Sequence, residues 1–264
     1  MQRYEQLEYR AGATLEVVKH IPVKYRTKEI RGPSDKKTKE EIQKANMLQA
    51  VRKLARKINA NFRPGDFHIT LTYRRENRPD PETAKVVIRK FLEKMRNRYR
   101  KAGYMFKYIL VTEYKSKSLH HHLICNNIND GEKTTVDYVR EYWRGYGNPK
   151  FVSLYDTGEY TELAAYLIKE TEKTFRESPE KQRYTCSRNL VDPKPKRIPK
   201  TVKERWQQDP ETRAGYYMEP DSLYNGFDRM GFPYQRYVLI KLHPSRDDWP
   251  SDRYGPPKRR KKRE

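Results

Sequence analysis

Three of the six histidines in this 264-residue chain stand in a row, His120-His121-His122, followed by Leu123-Ile124. Ahead of them lie an apolar run, Tyr108-Ile109-Leu110-Val111-Thr112-Glu113, and a polar stretch, Tyr114-Lys115-Ser116-Lys117-Ser118. Apolar and β-branched runs around a short polar turn predict a hairpin. With Tyr114 and Leu119 as the last pair, Glu113 faces His120 and Val111 faces His122. Side chains alternate along a strand, so His120 and His122 share one face and His121 points to the other. Cross-strand partners also share a face, which sets Glu113 beside both histidines. Two imidazoles and a carboxylate make a three-ligand metal site with open positions. Open positions let a metal grip a phosphate oxygen. Two blander readings of the triplet stay open at this point: a histidine cluster on a solvated strand end, and a zinc site without catalysis.

A second group of residues lies on a helix expected after Gly158 and running to about Lys173. Tyr160, Leu163, Ala164, Leu167 and Ile168 recur at helical spacing and form a buried stripe. Tyr166 falls off that stripe, on the polar side with Glu162, Lys169 and Lys173. A tyrosine there, three residues before a lysine, is a candidate nucleophile with a cationic neighbour. Free tyrosine titrates near pH 10, so about one molecule in a thousand is phenolate at neutral pH. By itself Tyr-x-x-Lys equally describes a surface tyrosine on an amphipathic helix.

These groups need a scaffold. In Phe67-His68-Ile69-Thr70-Leu71-Thr72-Tyr73 the apolar and polar residues alternate, predicting a half-buried strand. His68, on its polar face, is either a fourth metal neighbour or a structural residue. Asp80-Pro81 opens a helix whose inner face is Ile88, Phe91, Met95 and Tyr99, closed by Gly103. After the hairpin, a helix from about Thr135 carries Val136, Val139, Tyr142 and Trp143, and Phe151 to Tyr155 reads as a strand. The order β-α-β-β-α-β-α predicts an α+β fold. It is the split βαβ (ferredoxin- or RRM-like) arrangement, an antiparallel sheet with helices on one face, an open second face and the histidine strand at its centre.

Around this core the chain reads as basic N- and C-terminal extensions, giving divisions at 1–60, 61–175 and 176–264. Residues 1–35 carry little pattern beyond a short strand at Leu15-Glu16-Val17-Val18. A helix from Thr38 places Met47, Val51, Leu54 and Ile58 on one side. Residues 175–210 are rich in Lys, Arg and Pro and read as a linker or a strand-binding arm. Tyr237 to Leu242 reads as a strand. The run Lys258, Arg259, Arg260, Lys261, Lys262, Arg263 reads as a tail attracted to phosphate.

Lys and Arg number 58 against 35 Asp and Glu, a net charge of +23, which points to a polyanion and first to nucleic acid. No apolar run approaches the roughly 20 residues of a membrane span, and the polar start Met1-Gln2-Arg3-Tyr4-Glu5 resembles no secretory signal. Cys125 and Cys186 are far apart and match no metal motif. Cys125 is expected in the core of a protein kept in a reducing cytoplasm. The 21 tyrosines among basic residues suit stacking on unpaired bases.

Taken in order, Leu71-Thr72-Tyr73 on a strand, His120-x-His122 between apolar residues and Tyr166-x-x-Lys169 on a helix resemble the HUH endonuclease superfamily. The resemblance spans about residues 61–175 and is nearest the single-tyrosine rolling-circle replication initiators (Rep) of filamentous phages and bacterial plasmids. Asn61-Phe62, and the stretch from Gly226-Phe227 to Leu239, are similar to that group as well. The resemblance implies that His120, His122 and Glu113 bind a divalent metal, Mg²⁺ or Mn²⁺. It implies that Tyr166 attacks the scissile phosphate, leaving a 5′-phosphotyrosyl link and a free 3′-OH, and that Lys169 orients or stabilises the site. No second tyrosine stands three or four residues from Tyr166 on that face, so the two-tyrosine scheme of some relatives does not apply. No Walker A segment follows, so unwinding falls to a separate helicase.

The expected activity is therefore sequence-specific nicking and rejoining of single-stranded origin DNA, with host polymerase and helicase as partners. The expected setting is the bacterial cytoplasm, with no membrane and no small-molecule cofactor. A relaxase or a single-strand transposase shares the chemistry. A non-catalytic RRM-like nucleic-acid-binding module is the rival of another class, and it requires exposed aromatics on the central strands.

Overall fold

The alternation in Phe67 to Thr72 does form a strand, and the elements before and after it follow in regular order in the computed structural model. It describes residues 2–28, 38–115, 118–172, 182–202 and 206–254. The first elements are β1 (Gln2–Ala11), β2 (Thr14–His20), α1 (Lys39–Asn61), β3 (Phe67–Thr72), α2 (Pro81–Lys101), β4 (Tyr108–Lys115) and β5 (Ser118–Cys125). Then come α3 (Thr135–Trp143), β6 (Lys150–Ser153), α4 (Thr161–Glu170), β7 (Thr185–Cys186), β8 (Lys196–Val202), β9 (Tyr216–Met218), β10 (Tyr224–Phe227) and β11 (Pro233–Lys241). The class is α+β with two antiparallel sheets, in two compact units.

One unit comprises residues 63–154, 166–190 and 250–264. Its sheet runs β6-β3-β5-β4-β7, so the histidine strand β5 is central. Within it β3-α2-β4-β5-α3-β6 is the split βαβ arrangement. The helices start where local chemistry dictates. Asp80 caps α2 by accepting from the backbone N–H groups of Glu82 and Thr83, with Pro81 at the first position. Thr134 and Asp137 form a capping box at α3. Ile88, Phe91, Met95 and Tyr99 of α2, with Tyr138, Val139 and Trp143 of α3, bury one sheet face through Ile69, Leu71, Leu110, Leu123 and Cys125. Each such side chain contributes about 1.5–3 kcal/mol by leaving water. The buried carboxylate of Asp66 ties β3 to the end of β5, accepting from the N–H groups of Asn127 (2.8 Å) and Arg63 (2.9 Å).

The second face of this sheet is not bare. Ile109, Val111 and Ile124 point to it and are buried. The expectation of an open polar face holds only in part, since His68, Thr70, Thr72 and His120 on it stay partly exposed: a strand that alternates polar and apolar residues says which face each takes, not what later segment covers it.

The other unit comprises residues 1–62, 155–165 and 191–249. Its sheet runs β10-β11-β2-β1-β8, with β9 on β11. Residues read as an N-terminal extension thus pair with residues read as a C-terminal one: β2 lies between β1 and β11, and β1 lies between β2 and β8. Within 182–202 the linker expectation is corrected, because β7 and β8 are strands. Pro199 is tolerated because β8 is an edge strand, where a missing N–H need not break a ladder. The β1–β2 turn needs Gly12, at φ +57°, because a Cβ there would come within 2.3 Å of the Asn59 carbonyl oxygen. Thr38 and Glu41 form the capping box that starts α1. Trp206, Gln207 and Arg213 lie against the sheet face away from α1. Trp206 meets Tyr4 edge-on at 5.0 Å, Arg213 pairs with buried Glu8 at 2.9 Å, and Gln235 donates to the Gln207 carbonyl at 2.7 Å. Among the described residues no helix is long and apolar enough to cross a membrane.

Candidate active site

The hairpin has the register expected of it: Glu113 pairs with His120, Val111 with His122 and Tyr114 with Leu119, and pairing continues to Lys115 and Ser118. His121 points into the helix-covered core. It is only 1% exposed, and its two ring nitrogens lie 2.9 Å from the Tyr73 hydroxyl and 2.9 Å from Thr112 Oγ1. Burial first, then its charged-state repulsion with His122 and His120, lowers its pKa to about 3, so the ring is a neutral structural group.

His122 points to the opposite face and is 3% exposed, as is Glu113. His122 Nε2 lies 3.1 Å from Glu113 Oε2. Its Nδ1 lies 3.2 Å from His68 Nε2 and 3.5 Å from Thr70 Oγ1. The β3–β5 register explains this, because Thr70 pairs with His122 and His68 is two residues along on the same face. The His68 and His122 rings are stacked, with centroids 5.4 Å apart. Burial first, then His122, lowers the His68 pKa to about 4. His68 is therefore a neutral imidazole at pH 7, able to donate or accept.

Tyr166, from α4, closes the group. Its ring meets that of His122 edge-on, with centroids 5.5 Å apart and planes at 89°, and lies 6.3 Å from that of His68. The helix pattern explains the placement. Tyr160, Leu163, Ala164, Leu167 and Ile168 are all buried, whereas Tyr166 is 42% exposed and Lys169 is exposed one turn further on. α4 holds no other tyrosine. Lys173 and the basic run Lys258 to Arg263 lie outside the described residues.

Two ligand atoms bound to one ion at about 2.1 Å and roughly at right angles lie about 3.0 Å apart. The spacing of His122 Nε2 and Glu113 Oε2 suits a shared divalent ion as well as a hydrogen bond. The described residues contain no ready-made group of three or more His, Cys, Asp or Glu side chains able to hold a metal. The structure thus brings Glu113, His122 and Tyr166 together and adds His68, while His120 shares their face through its pairing with Glu113. The sequence left His68 as a fourth metal neighbour or a structural residue, without giving its contact with His122. Its sign was a polar residue two places from Thr70 on the polar face of β3, but which strand lies beside β3 is set only by the sheet order.

Residues 66–175, the span holding all of these groups, match the family model of the replication-associated protein ORF2. The match supports a role in replication initiation. Comparison with curated proteins and with solved structures gives no match.

Proposed function

We propose that the chain nicks and rejoins single-stranded DNA at a replication origin, in a metal-dependent reaction that starts rolling-circle replication, as a single-tyrosine HUH endonuclease. The observation that carries this is the seating of Tyr166 edge-on against His122, itself in contact with Glu113, inside the matched span. Glu113, His120 and His122 would hold Mg²⁺ or Mn²⁺, with His120 opposite Glu113 across the hairpin. When bound, the ion would polarise the scissile phosphate and offset its charge.

The Tyr166 oxygen attacks the phosphorus, and its proton passes to solvent, which reaches this exposed ring. The bond from phosphorus to the 3′ oxygen breaks, and that oxygen leaves as a hydroxyl, taking a proton from water. The product is a 5′-phosphotyrosyl link and a free 3′-OH for a host polymerase. In the reverse step a 3′-OH attacks the phosphorus and gives its proton to solvent, the bond from phosphorus to the Tyr166 oxygen breaks, and that oxygen regains a proton from water. Lys169, three residues on along the exposed side of α4, would set its ammonium toward the phosphate charge. A separate helicase would supply unwinding, and a bacterial cytoplasm would supply the setting.

Tyr166→Phe tests this reading, because it keeps the ring and its contacts and removes only the hydroxyl. One hydroxyl is worth about 1 kcal/mol, so folding and binding of a single-stranded origin oligonucleotide should change less than about tenfold. No covalent protein–DNA product should form with Mn²⁺, whereas the parent's adduct should map by mass spectrometry to the peptide holding Tyr166. Tight, specific binding by the parent with no adduct in any divalent metal would favour a binding module instead.

A further inference from the structure

In the unit built on β1 and β2, three arginines converge on one carboxylate. Arg52 and Arg56 stand one turn apart on α1, and Arg236 comes from β11. Glu16, on β2, accepts from Arg56 through both Nε and Nη2 (3.0 Å) and from Arg236 through Nε. Both of its oxygens are engaged, and Arg56 also lies 3.6 Å over the Tyr9 ring. Arg52 shares none of these bonds. Its Nε is buried and makes no hydrogen bond among the described residues. Burial first, then repulsion from Arg236, lowers its pKa below the ordinary guanidinium value.

The three arginines line a small cleft whose other carboxylate, Glu159, is already bonded to the N–H of Thr161. The cleft therefore carries one more cation than anion, with a buried donor unused. An arginine placed there for stability alone is poorly explained, since an unmet buried N–H costs about 1–3 kcal/mol. A phosphate oxygen supplies what Arg52 lacks, because a guanidinium fork matches phosphate geometry.

Aromatic rings stand on the same sheet face. Tyr224 pairs with Arg236 across β10 and β11, and its ring lies 6.0 Å from that of Tyr234. Tyr224 is 46% exposed and lies across Gly226, where a Cβ would come within 2.6 Å of its hydroxyl. A ring held flat against an edge strand presents a face on which a base can stack.

We propose that Arg52 and Arg236, with the Tyr224–Tyr234 pair, form a subsite that seats one phosphate and an adjacent base of a single-stranded nucleic acid. This subsite does not rest on the nicking chemistry.

The test is anisotropy titration of a single-stranded DNA oligonucleotide at several salt concentrations, with full-length parent, Arg52→Gln and Lys53→Gln. Lys53 is the exposed neighbour on α1 and reports diffuse charge. Loss of one phosphate contact should flatten the slope of log affinity against log salt by about 0.7, which is about fourfold in affinity near 0.15 M salt. Lys53→Gln should lose less than half of that. Inorganic phosphate, at constant ionic strength, should compete with the oligonucleotide for the parent and not for Arg52→Gln. Tyr224→Ala should weaken binding without changing the slope. Without DNA, Arg52→Gln should unfold no earlier than the parent.

Equal losses in Arg52→Gln and Lys53→Gln would overturn the proposal, as would no competition by phosphate. Earlier unfolding of Arg52→Gln would also overturn it by making Arg52 a structural residue. The covalent Tyr166 product at saturating DNA should survive in Arg52→Gln. Its absence from the parent would sink the nicking mechanism and leave this subsite standing.

Discussion

Replacing His68 by Leu removes an imidazole that meets both His122 and Tyr166. If His122 gives its Nε2 to a metal, its proton sits on Nδ1 and needs an acceptor. His68 Nε2, 3.2 Å away, is nearer than Thr70 Oγ1 at 3.5 Å. Losing such a partner of a ligating histidine costs about 10- to 100-fold in metal affinity, or about 1.4–2.7 kcal/mol. His68→Leu should therefore weaken Mn²⁺ binding by that factor in calorimetric titration, and His68→Gln, which keeps an acceptor, should recover most of it. A second readout needs no metal. The fold lowers the His68 pKa from 6.5 to about 4, so between these values the unfolded chain takes up a proton that the folded chain refuses. The resulting stability is fully present above pH 6.5 and is lost as pH falls toward 4, by roughly 3 kcal/mol at most. His68→Leu should flatten that acid limb in denaturant melts. Equal Mn²⁺ affinity in parent and His68→Leu, within twofold, would refute the assignment of His68 as the partner that orients His122.

Other substitutions separate the site from its supports. His121→Ala removes the partner of the buried Tyr73 hydroxyl and of the half-buried Thr112 hydroxyl and opens a hole in the core, so it should cost about 3–5 kcal/mol in chemical denaturation, yet leave Mn²⁺ binding intact at temperatures where the variant is folded. Gly147→Ala would put a Cβ 2.0 Å from the Thr72 carbonyl oxygen, so the chain after α3 must move away from the end of β3. Melting should show a loss of at least about 2 kcal/mol. Deleting Lys258 to Arg263 should weaken binding to all DNA sequences alike and lower the salt slope in titrations. A change in the sequence that is cut would instead mean that this segment reads bases.

The histidine hairpin was legible in the sequence because its information is local. A short polar turn sets the register, and the period of two then fixes which face each side chain takes, so Glu113, His120, His121 and His122 could be assigned before any fold was known. Tyr166 was legible for a similar reason, since the buried stripe of α4 leaves it outside. The approach of α4 to β5 was not legible, nor was the contact between His68 and His122, because long connections separate those segments and only packing sets their neighbours. The same limit hid the second sheet. β1 shows little alternation, since Tyr4 and Glu8 are buried on one of its faces while the opposite face meets α1. Its charged residues look like surface until distant partners are known, as with Glu8 and Arg213. Pro and Lys around β8 read as a linker by composition, yet a strand at a sheet edge accepts both. The sequence by itself determined local register, helix faces and caps, which depend on neighbours a few residues away. Tertiary structure decided which strands meet and which charges are paired. It also decided that Ile109, Val111, Ile124, Glu113 and His122 of the histidine face are buried while His68 and His120 stay partly exposed, because each of these depends on contacts between residues far apart in the chain.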